Sequence, residues 1–385
     1  MSAEQLTQLL TEPREVDVVA IERELIRLWK DASEIGGAPG SAPVMRACSL
    51  NLIVVTDDRH RMGELAEIIG EVTLEHPARV FLVAAERSSA RPYLDAWVSA
   101  RCSLPVPGGK QVCCEEITLA AGGVDVEKIS SIITGLLVPD VPVIVLWKLT
   151  VHPDDTLLLA LSWIANRVII DSSDEDSPHA TLRFWGAFMN RSRGHVSFGD
   201  LAWTHITPWR SVIAGAFNPE EMRPLLHTIH GIEIRHSVTS RPDHSGFSQA
   251  VLLGGWFAER LRWDVASALA DTAGGNSRAV LRKADNGQPS VITLTLRRVE
   301  PRPGFPGGLE SVGIDCSGTV LEFAATQHAR CIAARKQTHE ASEEHLATVL
   351  TNRNEAELIA RELEMTMPDK GYEAVMSKVL QLLGT

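Results

Sequence analysis

Short apolar runs alternate, in the first half of the chain, with stretches whose apolar residues recur every three or four positions. The runs lie within residues 49–56, 78–85, 141–147 and 166–173. Uninterrupted runs of this length are typical of strands buried on both faces, and the wider spacing is typical of amphipathic helices. Their alternation predicts an α/β domain with helices on both faces of a sheet.

Two further predicted strands, 93–104 and 110–121, flank a turn at 105–109 that is rich in proline and glycine. Strands joined by so short a turn pair antiparallel in a hairpin. We therefore expect the first sheet to be mixed rather than purely parallel.

The second half of the chain has a different pattern. Apolar and polar residues alternate along 289–299, with Ile292, Leu294 and Leu296 on one face. Such alternation predicts a sheet that is covered on one face only. Further strands are predicted at 231–239, 312–316, 319–325 and 330–334.

A polar, acidic stretch at 172–178 separates the two patterns and is typical of a domain boundary. We predict an α/β domain with a mixed sheet over 1–175. An α+β domain follows over 176–385 and begins with a tryptophan-rich helical segment. Because both halves run from strand and helix to antiparallel strands and helix, a distant internal duplication is an alternative.

Composition agrees with this organisation and restricts the partners. The 385 residues correspond to about two domains. With 37 basic and 49 acidic residues the formal net charge is −12, which argues against binding to nucleic acid or to anionic membranes. Every stretch of about 18 residues contains charges, so we expect no transmembrane helix. The acidic start lacks the apolar segment of a secretory signal, so we expect a cytoplasmic protein.

The sequence contains few patterns that indicate chemistry. No GxGxxG follows a strand, and the chain has no phosphate-binding GxxxxGK[ST] loop. No run of Cys and His has the spacing of a zinc site. We therefore expect no cofactor, metal or catalytic residue. Two interpretations of the acids that follow strand 166–173 stay open: a solvated loop, or a magnesium site built from Asp171, Asp174, Glu175 and Asp176 with Ser172 and Ser173.

Six cysteines are present, and none forms a CxxC pair. In a cytoplasmic chain we expect reduced, half-buried thiols. The alternative is a redox-responsive pair, for which Cys316 and Cys331 across a hairpin are the candidates.

Tryptophan is unusually frequent, with nine Trp against two Tyr. Trp185, Trp203 and Trp209 fall within 25 residues of one another, among several arginines. Protein interfaces are enriched in Trp and Arg. The segment is therefore either a partner-binding surface or the aromatic core of a helical subdomain.

The same segment, DLAWTHITPWR at 200–210, resembles the glucose-6-phosphate dehydrogenase assembly protein family, OpcA. Other segments resemble that family in the same order along nearly the whole chain. They are HPARVFLV at 76–83, LLVPDVPVIVLW at 136–147, RVIIDSS at 167–173, LLGGWFAERLRW at 252–263, LESVGIDCSGTVLEF at 309–323 and ELIARELEMTMPDKGYEAVM at 357–376.

The resemblance implies a non-catalytic partner that assembles or allosterically activates glucose-6-phosphate dehydrogenase in the oxidative pentose phosphate pathway. We expect Trp203, Thr207, Pro208, Trp209 and Arg210 to contact that enzyme or to brace the element that does. Pro208 is expected at the first position of a helix, with Thr207 as its cap.

The competing hypothesis is a sensor or enzyme that binds a sugar phosphate or a nucleotide at strand ends. Its candidate residues are Asp140 and Trp147, on either side of a buried strand, and Asp171, Ser172 and Ser173, which follow another. The alternative interpretation of these five residues is a purely structural motif. A scaffold that only stabilises the enzyme oligomer is a third possibility.

Overall fold

The computed structural model describes residues 14–15, 18–36, 44–103, 111–152, 154–173, 177–192, 194–237, 246–272, 275–285, 288–302, 307–326, 331–338, 341–349, 354–365 and 367–385. The chain divides into two compact units. The first consists of Met1–Ile170, Arg193–Phe198 and Glu355–Met367, and the second of Asp171–Ser192, Gly199–Asn354 and Pro368–Thr385. The first unit thus takes in two short segments from beyond residue 175.

Strands and helices alternate in the first half of the chain, and strands dominate in the second half. The strands are β1 Arg14–Glu15, β2 Val44–Arg46, β3 Leu50–Thr56, β4 Ala78–Glu86, β5 Tyr93–Ser103, β6 Gln111–Gly122, β7 Val143–Trp147, β8 Arg167–Ile170, β9 Ser197–Asp200, β10 Ile229–Ser237, β11 Asp264–Thr272, β12 Asn276–Asp285, β13 Gln288–Val299, β14 Gly308–Cys316, β15 Thr319–Ala325, β16 Cys331–Thr338 and β17 Ser342–Val349. The helices are α1 Val18–Gly36, α2 Met62–Glu75, α3 Ile129–Leu136, α4 Thr156–Ile164, α5 Pro178–Arg191, α6 Leu201–His205, α7 Thr207–Ala216, α8 Gly246–Arg260, α9 Glu355–Leu363 and α10 Lys370–Leu382. None of these helices is long and apolar enough to cross a membrane.

The first unit is built on a sheet with the order β1-β5-β6-β4-β3-β7-β8-β9, and β2 pairs with β6. Strands β6, β4, β3, β7 and β8 run parallel to their neighbours. Every residue of β3 and β7 is buried, as the apolar runs predict. Numbered along the chain, the six strands from β6 to β9 follow the order 3-2-1-4-5-6 of doubly wound, dinucleotide-binding sheets.

The predicted hairpin is confirmed, because β5 and β6 pair antiparallel and make the sheet mixed. The α/β class predicted for this part of the chain is confirmed with it. The predicted turn at 105–109 lies outside the described residues.

A buried ion pair connects this sheet to its helices. Arg79 of β4 donates from Nε to Glu115 Oε2 on β6, at 2.7 Å, and from Nη1 to the carbonyl of Leu136 at the end of α3. Glu115 also accepts bonds from Trp29 of α1 and from Arg46 of β2. The arginine of the HPAR segment is therefore a structural residue of the core.

Helix α9 returns to the first unit from far along the chain. Arg167 of β8 lies 2.6 Å from Glu362 of α9, and both side chains are buried. At the start of the same helix, Glu355 lies 3.0 Å from the buried Lys148 that follows β7. Two ion pairs thus hold α9 to the ends of neighbouring strands.

The second unit contains an eight-stranded sheet in the order β11-β12-β13-β10-β14-β15-β16-β17. Only β10 and β13 are parallel among its described strand pairs. One face is apolar, with Ile292, Leu294 and Leu296 buried as predicted. Helix α8 packs against this sheet and against α10: a Cβ at Gly254 would lie 2.9 Å from Leu294, and one at Gly255 would lie 2.8 Å from Val379.

The alternative of an internal duplication is wrong. The first sheet has a parallel centre, whereas the second has one parallel pair among antiparallel strands. The similar order of strands and helices in the two halves therefore does not reflect a shared topology.

Replacement of Arg79 tests the importance of the buried pair. In the variant Arg79→Met, Glu115 stays buried without its closest cation, so we expect the free energy of unfolding to fall by about 3–5 kcal/mol in urea titrations. Arg27→Met removes an exposed i,i+3 pair with Glu24 and should change it by less than about 0.5 kcal/mol. Equal losses in the two variants would contradict a structural role specific to Arg79.

Candidate functional site

The segment 200–210, which we call the signature segment, forms the end of β9, helix α6 and the start of α7. Asp200 caps α6, since its Oδ1 accepts the Ala202 amide at 2.9 Å. The same oxygen accepts the Ser172 amide at 3.1 Å, and Tyr372 donates its hydroxyl to Oδ2 at 3.3 Å. Asp200 is completely buried. It therefore joins three parts of the second unit that are far apart in sequence.

Asp171, Ser172 and Ser173 belong to this buried network. Asp171 Oδ1 accepts the amide of Ser173 at 3.1 Å and its hydroxyl at 2.5 Å. Ser248 of α8 donates its hydroxyl to the Ser172 carbonyl at 2.6 Å. These contacts favour the structural interpretation of the three residues.

A magnesium site finds no support in the part of the chain that the structure describes, where no three metal-ligating side chains of His, Cys, Asp or Glu come together. The other acids predicted for that site, at 174–176, lie outside the described residues.

Burial controls the protonation of the network's central carboxyl. Desolvation, together with the neighbouring charge of Asp171, raises the pKa of Asp200 from its ordinary 3.8 to about 7. Hydrogen bonds from Ser172 and Ala202 act in the opposite direction. Asp200 is therefore a carboxyl whose charge changes near neutral pH inside the fold.

The two tryptophans of the signature segment are buried. Trp203 is 2% exposed and donates from Nε1 to Asp369 Oδ2 at 2.8 Å. Asp369 in turn caps α10 by accepting the Tyr372 amide at 3.0 Å. Trp209 is 5% exposed. Both indoles therefore brace the helices and offer almost no surface to a partner in this conformation.

Arg210 connects the buried indole to the surface. Its guanidinium lies 3.4 Å from the centre of the Trp203 ring, a close cation–π contact. Its Nη2 donates to Thr207 Oγ1 at 2.8 Å and to the Trp203 carbonyl at 3.3 Å. Thr207, Pro208 and Arg210 are partly exposed. They are the members of the predicted contact set that a partner could reach.

The prediction that Thr207 caps α7 is wrong. Helix α7 begins at Thr207 itself, and its flanking residue Ile206 makes no side-chain cap. Helices α6 and α7 are separated by Ile206 alone. The side-chain cap of this helix pair is Asp200, at the start of α6. Pro208 does lie in the first turn, where its missing N–H is harmless.

A cavity of about 600 Å³ adjoins Arg210 in the second unit. It lies between α7, the short helical turn Arg223–His227 and the second half of α8. Arg210, Arg223 and Arg260 line it, together with apolar side chains that include Phe217 and Trp256. We call this cavity the arginine pocket. Nothing in the sequence pattern indicates it, because its arginines are spread over 50 residues.

In the first unit, the topology implies a dinucleotide site at the carboxyl ends of β3 and β7. The residues there do not fit such a ligand. The turn after β3 contains Asp57 and Asp58 instead of glycine, and Asp58 Oδ1 accepts the amide of His60 at 2.7 Å. The turn therefore adds negative charge where a pyrophosphate needs free amides. A Cβ on Gly63, in the first turn of α2, would meet nothing within 4 Å, so no contact within the chain requires this glycine.

The end of β7 is occupied by side chains. Trp147 is buried, and the Arg87 guanidinium lies 5.7 Å from the centre of its ring. Arg87 also pairs with Asp155 at 2.6 Å, and Asp155 caps α4. Trp147 is therefore a core residue, and with Arg87 it fills the crevice where a ligand would need space.

Asp140 lies elsewhere. It occupies an exposed turn before β7, with a φ of 63°, at the opposite end of that strand from Trp147. Trp147 lies opposite Ile170, the residue before Asp171, so Trp147 and the segment 171–173 lie at the carboxyl ends of neighbouring strands. The structure thus separates Asp140 from the other four candidates for a strand-end ligand site.

The predicted pairing of Cys316 with Cys331 across a hairpin is wrong. Strand β15 lies between them, with Thr319 opposite Cys316 at one end and Ala325 beside Ile332 at the other. The two thiols therefore lie at opposite ends of β15. Both are free, and burial raises the pKa of Cys316 to about 11, so that thiol stays protonated at neutral pH.

The expectation that all cysteines are reduced is also wrong. Cys102 and Cys113 form a disulfide between β5 and β6, at directly opposed positions with their Cα atoms 4.0 Å apart. A hairpin centred on the predicted turn at 105–109 would place Cys102 opposite Val112, one residue away, so the sequence pattern did not specify this pair.

Together these features define a class: a two-unit α/β protein with dinucleotide-fold topology and a crevice that does not fit a dinucleotide in its first unit, and with a buried network and an arginine-lined pocket in its second. The chain belongs to the family of glucose-6-phosphate dehydrogenase subunits. The N-terminal domain of that family matches residues 70–185, and its C-terminal domain matches residues 196–376.

Two relatives provisionally named OxPP cycle protein OpcA illustrate the similarity. The protein from Synechococcus elongatus is 30% identical over 199 residues, which are 51% of this chain and 42% of the relative. The one from Synechocystis sp. is 24% identical over 323 residues, 82% of this chain and 66% of the relative. The matched regions span less than two thirds of either relative.

Solved structures resemble the chain weakly. A 3-ketoreductase from Actinomadura kijaniata in complex with TDP-benzene and NADP has a TM-score of 0.46 at 11% identity, covering 87% of this chain and 95% of that one. An aldose-aldose oxidoreductase from Caulobacter crescentus has a TM-score of 0.41 at 8% identity, covering 88% and 98%. Likenesses at this level say nothing about the activity of this chain.

The raised pKa of Asp200 predicts how stability depends on pH. Between about pH 4 and about pH 7 the folded state keeps a proton that the unfolded chain has lost, so stability falls as pH rises through this interval. Asp200→Asn keeps an oxygen acceptor for both amides and cannot titrate. We expect it to remove a slope of up to about 1.4 kcal/mol per pH unit, measured by urea unfolding.

Asp58→Asn is the matched control, since Asp58 also caps a helical turn but is only partly buried. It should keep the wild-type slope. An Asp200→Asn variant with the same pH dependence as the wild type would show that the Asp200 carboxyl does not titrate in this range.

Proposed function

We propose that this chain is a non-catalytic subunit that binds glucose-6-phosphate dehydrogenase and activates it. Family membership over both units is the observation that carries the proposal. The oxidative pentose phosphate pathway in the names of the relatives agrees with it. The proposal places both proteins in the cytoplasm.

The chemistry of the first unit supports a role without catalysis. A dehydrogenase of this topology needs open backbone amides after β3 and space at the end of β7. Here Asp57 and Asp58 occupy the first position, and Trp147 with Arg87 occupies the second. An enzyme acting through a dinucleotide in this crevice is therefore disfavoured. A binding protein needs the fold but not that turn.

The signature segment supplies the proposed contact. Trp203 and Trp209 fix α6 and α7 from inside, and Asp200 fixes their start. The exposed parts of Pro208 and Arg210 are then presented in a set position, which lowers the entropy cost of binding. Arginine held over an aromatic ring is a common feature of energetically important interface residues.

An activator must bind one state of the enzyme better than another. A coupling of about 1–3 kcal/mol corresponds to a change in substrate affinity of roughly 5- to 150-fold. We expect the dehydrogenase to co-purify with this chain, and its KM for glucose 6-phosphate to fall by such a factor in the complex. The chain alone should form no NADPH. A pure scaffold would raise the fraction of assembled enzyme and leave the KM of assembled enzyme unchanged.

Arg210→Gln locates the contact. We expect it to weaken binding to the dehydrogenase by about tenfold, because it removes a charge and a stacked donor. Arg278→Gln, on the exposed side of β12, is the matched control and should bind as the wild type does. Melting temperatures of both variants check the fold. Full activation by a folded Arg210→Gln variant would contradict this part of the proposal.

A further inference from the structure

The arginine pocket differs in charge from the chain as a whole. The protein carries a net charge of −12, yet the described residues that line this cavity include three arginines and no Asp or Glu. The arginines come from three elements: Arg210 from α7, Arg223 from the turn before β10, and Arg260 from the end of α8. A concave surface with one sign of charge concentrates counter-ions.

Neighbouring groups offset part of this positive charge. Arg223 donates to the carbonyl of Asn218 at 3.3 Å, a neutral acceptor. Arg260 lies 3.6 Å from Glu259, whose side chain is partly buried, and this carboxylate offsets part of its charge. Arg210 is held by Thr207 and by the Trp203 ring. Because the described lining residues bring three guanidiniums and no carboxylate to the pocket, its wall is positively charged.

The remaining wall suits an organic body. Phe217, Trp256 and Phe257 supply aromatic surface, and Thr207, Ser211 and Asn218 supply polar groups. The volume of about 600 Å³ lies within the range of small-molecule sites. Arginine forks match the oxygens of a phosphate group, and several of them together suit a doubly charged anion.

We propose that the arginine pocket binds a phosphorylated small molecule of the size of a sugar phosphate or a nucleotide. The phosphate lies among Arg210, Arg223 and Arg260, and the organic part lies against Trp256 and Phe217. This site is separate from the crevice of the first unit, and no comparison assigns it a ligand. It adds a function beyond partner binding.

Titration calorimetry on the full chain, without the dehydrogenase, tests the proposal. The probes are glucose 6-phosphate with glucose, AMP with adenosine, and inorganic phosphate. We expect at least one ester to bind at least about tenfold more tightly than its unphosphorylated counterpart and than inorganic phosphate. The affinity should fall as salt is added, because ions screen the arginines.

Two double variants locate the site. Arg223→Gln with Arg260→Gln removes two of the three charges at exposed positions and should lower the affinity by at least about tenfold. Arg278→Gln with Arg282→Gln removes two exposed arginines from β12 and should leave the affinity unchanged. Melting temperatures confirm that both variants fold.

The proposal is overturned if no ester binds more tightly than its unphosphorylated counterpart. It is also overturned if the pocket variant binds the ester as tightly as the β12 variant does. Inorganic phosphate that binds as tightly as the ester would contradict the role of the aromatic wall. Since the dehydrogenase is absent, none of these results depends on the proposed activation.

Discussion

The buried carboxyl of Asp200 is the interaction on which the second unit's helical cluster depends. It accepts hydrogen bonds from Ser172, Ala202 and Tyr372, which lie in three separate parts of the chain. Burial of a carboxylate is costly unless its oxygens are satisfied. Here the cost appears as a raised pKa of about 7, with the three donors limiting it. Asp200 thus fixes the start of α6, the helix that contains Trp203.

The first unit shows that strand order and ligand chemistry are separable. The order of its strands depends on apolar runs and crossovers that cover more than a hundred residues. Dinucleotide binding depends on a turn of a few residues after β3, where glycine gives way to Asp57 and Asp58. The space that a ligand would need is instead used for packing, with Arg87 between the Trp147 ring and Asp155. Loss of the site therefore leaves the fold intact.

How much could be predicted from the sequence depends on the distance over which each interaction acts. Local periodicity indicated the strands and the β5–β6 hairpin, but it did not determine the register that places Cys102 opposite Cys113. The place of α9 could not be predicted, because the buried Arg167–Glu362 pair joins residues 195 positions apart. The arginine pocket was missed for the same reason. The sequence allowed Trp203 at a surface or in a core, and its burial and its bond to Asp369 favour the core.

Arg210 belongs to both proposed interactions, and this has a thermodynamic consequence. Its guanidinium lines the pocket and also rests on Trp203, whose indole is bonded to the cap of α10. A phosphate bound in the pocket and a partner bound at α7 would thus act on the same side chain. If the ligand changes the affinity for the dehydrogenase, the dehydrogenase must change the affinity for the ligand by the same factor. A subunit built in this way could make activation of its partner depend on the concentration of a phosphorylated metabolite, without any catalytic residue of its own.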